Sequence, residues 1–164
     1  MVKGPGCRPG GILGIRLSFY YPASTAPTKG EIMKEVLQFI QTNKVFFMAT
    51  VDGDRPRLRP LGFVMEYDGK IYFGVGDQKE VFSQMKTNPK VDICSVSPNG
   101  NWLRLSGKAV FDMRPELFEA AVKTLPVLGE MYSPSLGNKL GTFYLTEAKA
   151  LIYDMAGNTQ ECSI

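Results

Sequence analysis

The stretch from Val45 to Lys79 limits the possible folds more than any other, because it sets three strand signals and two tight-turn signals end to end. Val45–Val51 is an apolar run rich in β-branched and aromatic residues, which favours a strand. Asp52-Gly53-Asp54 breaks it as a turn. Arg57–Met65 reads as the second strand, Asp68-Gly69 as the next turn, and Ile71–Val75 as the third strand. Beyond Gly76 and Asp77 the period becomes helical from Lys79. Strand side chains alternate between faces, so Arg57 and Arg59 share one. Two guanidinium groups on one face call for an anion, a partner or water.

The same reasoning covers the rest of the chain. Ile32, Met33, Val36, Leu37 and Ile40 recur at helical spacing and predict an amphipathic helix over 31–42. Lys79–Thr87 is a second helix, stopped by Asn88-Pro89, with Asp77 and Glu80 at capping-box spacing. Val91–Ser97 and Trp102–Phe111 read as strands. In the second, Trp102, Arg104, Ser106 and Lys108 take one face, and Leu103, Leu105, Gly107 and Ala109 the other. Pro115 opens a helix to Leu125, and Pro126–Gly141 reads as a loop-rich connection. Thr142–Leu145 and Ala150–Tyr153 are expected as two closing strands, with a tail from Gly157. Short strands, tight turns and few helices point to a mainly β (α+β) antiparallel barrel. The expected division is a Gly/Pro-rich arm over 1–30 and one folded domain over 31–164.

Composition excludes several chemistries. Among 164 residues there is no histidine, which removes imidazole zinc sites, Ser-His and Cys-His nucleophile pairs and histidine haem ligation. Cys7, Cys94 and Cys162 are widely spaced and odd in number, so they form neither a disulfide framework nor a zinc motif. The net charge of +3 is concentrated in residues 1–30, where Lys3, Arg8, Arg16 and Lys29 face no acid. The near-neutral remainder does not suit nucleic acid. Arg16 interrupts the only apolar stretch that resembles an export signal, and no run is long enough for a membrane span. A reducing cytoplasm is therefore the expected location.

What the residues offer is an anion-binding pattern. Arg57 and Arg59 lie on one strand face, and Gln78 and Lys79 stand where a strand turns into a helix. The free N–H groups of a first helical turn favour phosphate. Solvated charge and an ordinary helix cap, with Asp77 competing for the same N–H groups, is the alternative reading.

In order and spacing the chain resembles the flavin-mononucleotide split-barrel family related to pyridoxamine 5′-phosphate oxidase, and in particular its nitroimidazole-reductase-like branch. The resemblance runs from about Met33 to Asp154. Its carriers are Met48–Gly53, Pro56–Pro60, Ile71–Gly74, Lys79 with Asn88–Val91, and Trp102–Gly107. It implies a six-stranded antiparallel Greek-key split barrel with about three flanking helices, forming a homodimer with two flavin sites between subunits. It implies that Arg57, Leu58, Arg59 and Pro60 lie along the ribityl chain and ring of FMN, partly through backbone groups. Tyr72, Phe73 and Gly74 would line the isoalloxazine, Gln78 and Lys79 would hold the phosphate, and Trp102 and Arg104 would come from the other subunit. Met131 and Tyr132 are candidates for covering the flavin, with ordinary packing the competing reading.

The expected function is that of an FMN-dependent oxidoreductase acting on a small molecule, with a nicotinamide electron donor. The alternatives are a non-catalytic flavin carrier or sensor, or the same barrel holding F420 or haem. The chain departs from the oxidase in lacking the histidine and arginine near the C-terminus that engage pyridoxine. Gly74 and Gln78 also stand where that enzyme has a hydroxyl and a basic residue.

Overall fold

The computed structural model describes residues 28–163. Helix α1 (Lys29–Asn43) begins at a complete capping box, in which the Thr28 hydroxyl accepts from Glu31 N–H and the Glu31 carboxylate accepts from Thr28 N–H. Ile32, Val36, Phe39 and Ile40 form its buried stripe. Eight strands follow: β1 (Phe46–Asp52), β2 (Arg55–Leu61), β3 (Val64–Tyr67), β4 (Lys70–Gly76), β5 (Lys90–Val96), β6 (Trp102–Phe111), β7 (Leu140–Tyr153) and β8 (Thr159–Ser163). Helix α2 (Glu80–Thr87) lies between β4 and β5, and α3 (Pro115–Thr124) and α4 (Val127–Met131) between β6 and β7.

The fold is mainly β, with every strand pairing antiparallel. Seven strands follow one path, β2-β1-β5-β6-β7-β4-β3, and β8 pairs with β7 beside it. The mainly β (α+β) class expected from the sequence holds and agrees with a split barrel, but the six strands and three or so helices are corrected: among the described residues the path has seven strands, four helices accompany it, and the sheet does not close. Alternation decides which side is core. Phe46, Met48, Ile93, Leu103 and Leu105 face inward with Phe73 and Phe143, which stack at 5.5 Å, and the stripe of α1 packs on them. A second cluster joins Met65 and Tyr72 to Leu117, Ala121, Leu128 and Tyr132 of the α3–α4 segment.

Four sequence expectations change. Arg57–Met65 is not one strand: the chain leaves β1 after Leu61 and resumes as β3 at the opposite edge of the path. Pro56 and Pro60, which cannot donate to a ladder, fit the edge position of β2. Thr142–Leu145 and Ala150–Tyr153 belong to a single strand of 14 residues. The polar Thr146–Lys149 stretch reads as a break, but a bulge opposite Ser106–Lys108, with Glu147 at φ 51°, lets β7 bend and keep pairing. The tail from Gly157 includes β8, joined to β7 through a turn in which Asp154 Oδ1 accepts from Ala156 and Asn158 N–H. The connection 126–141 contains α4 and a short 3₁₀ turn over Pro134–Leu136.

The expected arm over 1–30 lies, up to residue 27, outside the described residues. No helix among them is long and apolar enough to cross a membrane.

Candidate functional site

Strand β2 pairs Arg57 with Thr50 and Arg59 with Met48, so both arginines take the inward face of β1, as their spacing requires. The Arg59 guanidinium reaches across β1 to α2. Its Nη1 donates to Thr50 Oγ1 (2.7 Å), Arg57 O (3.0 Å) and Met48 O (3.1 Å), and its Nη2 donates to Gln84 Oε1 (2.9 Å). Thr50 Oγ1 also donates to Gln84 Oε1 at 2.6 Å. Thr50 and Gln84 are buried, so this network satisfies polar groups that would be costly to leave unpaired. Burial pushes the Arg59 pKa down, Arg57 adds repulsion, and Glu80 of the first turn of α2 opposes both. Arg57, Arg59 and the start of α2 therefore form one electrostatic neighbourhood. Arg57 is less committed than Arg59, pairing at 3.1 Å with Asp52 at the surface.

The N-terminus of α2 faces the same neighbourhood. Its N-cap is Lys79, and no side chain caps it. The capping box expected from Asp77 and Glu80 does not form, because Asp77 Oδ1 accepts instead from Lys139 N–H at 2.9 Å and ties the junction to the segment before β7. Gln78 folds back over Gly76, where a Cβ would stand 2.4 Å from its Oε1 and would turn the glutamine side chain aside. Gln78 and Lys79 are both exposed. An uncapped helical turn beside exposed lysine and arginine is suited to an anion.

The other residues singled out from the sequence occupy two different places. Tyr72 and Phe73 are fully buried, and Gly74 packs against Phe63 and Leu140. Tyr72 Oη donates to Asp112 Oδ2 at 3.0 Å, and Arg114 grips the same carboxylate, holding it below the usual range. Leu58, Pro60, Trp102 and Arg104 face outward. Trp102 stacks on Tyr153 with centroids 3.9 Å apart and planes 6° from parallel. Arg104 is bidentate to Asp92 at 3.0 and 2.9 Å. The register sets these in rows across the outer surface, with Pro60, Phe47, Cys94, Arg104 and Leu151 adjacent in one. Leu58, Val96 and Phe47 are 68%, 57% and 44% exposed on that side.

Within one chain, then, the Arg59–Gln84 bond ties the strand bearing Arg57 and Arg59 to α2, the helix that follows Gln78 and Lys79, while Trp102 and Arg104 lie on the outer face. Met131 is exposed, while Tyr132 is buried in the second cluster. Sequence reasoning missed Thr50 and Gln84. The available signal for Gln84 was a polar residue on the same helical stripe as Val81 and Met85. No cluster of three or more acids, cysteines or histidines placed to hold a metal occurs among the described residues.

The fold defines a class: a mainly β protein built on one open antiparallel sheet with helices between its strands. The chain belongs to the pyridoxamine 5′-phosphate oxidase family, whose model matches residues 32–134. It is similar to a solved NimC/NimA family protein from Clostridium acetobutylicum, with 39% identity over 80% of this chain and 92% of that one and a TM-score of 0.75. It shares its fold with a haem-binding protein from Mycobacterium smegmatis (17% identity, 85% of this chain and 59% of that one, TM-score 0.61). A FAD-binding protein from Mesorhizobium loti has the fold as well (15% identity, 71% and 91%, TM-score 0.51). No curated protein matches the chain.

Proposed function

We propose that the protein is an FMN-dependent oxidoreductase that works as a homodimer, with flavin held between subunits and reduced by a nicotinamide donor. The observation that carries this reading is the brace between two segments: Arg59, on the strand that also bears Arg57, bonds Thr50 and Gln84 and so fastens that strand to α2, whose first turn follows Lys79 and has no side-chain cap. The donor set fits a phosphate monoester: N–H groups at a helix start, a compact ammonium, and a guanidinium that can exchange Asp52 for a better anion. Arg59, already bonded to four acceptors, positions β2 against α2 and adds positive potential without needing direct contact.

The outward residues support the dimer. Leu58, Phe47 and Val96 leave apolar surface in water, and a second copy laid on this face would bury it and bring Trp102 and Arg104 to the partner's flavin edge. Bound flavin would supply the hydride or electron chemistry. The chain's own residues would hold the phosphate, orient the ring along the backbone of Leu58–Pro60 and exclude water from one side.

Lack of histidine disfavours haem ligation, and a phosphate grip built for one monoester favours FMN over longer ligands such as F420. A flavin carrier is the second reading, favoured by the pairing of the arginines at the site with protein acceptors and the want of an obvious proton donor there. The test is to load the purified protein with FMN and follow bleaching of the flavin by NADH and NADPH, then reoxidation by nitroaromatic and quinone acceptors. Turnover supports the enzyme. Stoichiometric FMN with no reduction by either donor supports the carrier.

A further inference from the structure

A second concavity lies away from this edge. It opens at the start of β4, whereas α2 follows the end of that strand, and seven residues at about 3.3 Å each put the two roughly 20 Å apart. The pocket encloses about 260 Å³ between α1, the β3–β4 turn and the middle of β7. Its depth is apolar, with Met33, Ile71, Leu105 and Ala148 among the walls, and its rim carries Lys29 and Lys70.

Two features mark it as built rather than left over. The first is the bulge that shapes one wall. Glu147 adopts φ 51°, a conformation disfavoured for a non-glycine residue. Gly107 opposite it is closely packed: a Cβ there would stand 3.0 Å from Thr146 O and 3.2 Å from Leu145 Cβ, so a side chain would press on the bulge. Such local strain, held in place by the surrounding sheet, clusters at functional positions.

The second is charge. Among the described residues neither Lys29 nor Lys70 has a carboxylate within salt-bridge distance. Lys70 Nζ lies 4.2 Å from the centroid of Tyr144, on the pocket wall. Glu147, the one acid on the lining, is taken by Lys108 at 2.7 Å. The rim therefore presents two ammonium groups over an apolar floor. The volume is below the usual range for drug-sized ligands, roughly 300–1,000 Å³.

We propose that this pocket is a second binding site, independent of the flavin edge, for a small carboxylate with an apolar body of single-ring or short-chain size. The carboxylate would meet Lys29 and Lys70, and the body would lie against Met33, Leu105 and Ala148.

The test uses the full chain with benzoate and octanoate as probes, followed by equilibrium dialysis and by the methyl resonances of Met33 and Ala148. The expected result is saturable binding of at least one probe at one per chain, with both methyl resonances moving. Lys70→Glu and Lys29→Glu would each weaken it tenfold or more, while Lys123→Glu on α3 leaves it unchanged. FMN affinity should be the same in all three variants, all of them at exposed positions. Absence of saturable binding by both probes overturns the proposal. So does binding that leaves the two methyl resonances still, that survives the double charge reversal, or that benzyl alcohol or inorganic phosphate matches in affinity.

Discussion

Arg59 and Gln84 lie 25 positions apart in the chain and meet through an Nη2–H···Oε1 hydrogen bond of 2.9 Å. That bond fastens an edge strand to the helix whose first turn faces the proposed phosphate. The pair therefore belongs both to the stability of the fold and to the geometry of the site.

Gln84→Leu leaves the part-buried Arg59 guanidinium and the Thr50 hydroxyl short of an acceptor. A loss of about 1–3 kcal/mol is expected in urea unfolding, together with weaker FMN binding as β2 loosens from α2. Unchanged stability would remove the structural role assigned to the network.

Lys79→Glu tests the other half of the edge. Lys79 is exposed and makes no side-chain cap bond, so stability should stay within about 0.5 kcal/mol of wild type. FMN affinity should fall at least tenfold, because an acid would then stand at the helix start where the phosphate is proposed to bind. Flavin fluorescence titration reads this directly.

Leu58→Glu places a charge on the most exposed apolar residue of the outer surface at the β2 edge. Light scattering on a sizing column should change from dimer to monomer, with FMN retention lost alongside. A variant that stays dimeric would move the subunit interface elsewhere.

Acid stability follows from Asp112. Its carboxyl pKa is lowered by Arg114 first, with Tyr72 adding a hydrogen bond. A lowered folded-state pKa contributes stability at pH values above the unfolded one, about 3.9, and that stability is lost as pH falls through the folded value. Asp112→Asn should therefore destabilise the protein at neutral pH and flatten its loss of stability below pH ~4. Unfolding midpoints measured from neutral pH down into that acid range give the comparison.

Much of this arrangement is legible in the sequence because local rules and burial agree. The alternation of β6 places its residues as the structure does, with Leu103 and Leu105 buried and Arg104 outward, and the stripe of α1 does so for Ile32, Val36 and Ile40, while Phe39 joins it and Met33 and Leu37 lie part-buried at its flank. Legibility fails where tertiary pairing overrides local signals. Gly62 does not look like a strand end until β3 is seen at the opposite edge. The polar Thr146–Lys149 stretch reads as a break, although a bulge carries β7 through it. At the site, the arginine spacing and the strand-to-helix junction could be read directly. That Arg59 is spent on Thr50 and Gln84, and that Asp77 serves Lys139 rather than α2, depends on contacts between distant segments that no spacing encodes. Tyr72 and Phe73 carry a sequence resemblance to a ring-lining segment, and their full burial leaves only backbone to offer there.

The most direct test of the central claim compares two ligands that differ only by the phosphate. Purified protein is titrated with FMN and with riboflavin, and binding is followed by quenching of flavin fluorescence. Gripping of the phosphate by Arg57, Lys79 and the start of α2 requires FMN to bind at least 100-fold more tightly, at one per chain, with most of that preference lost in Lys79→Glu. Equal affinity for the two flavins, or no binding of either, would contradict it.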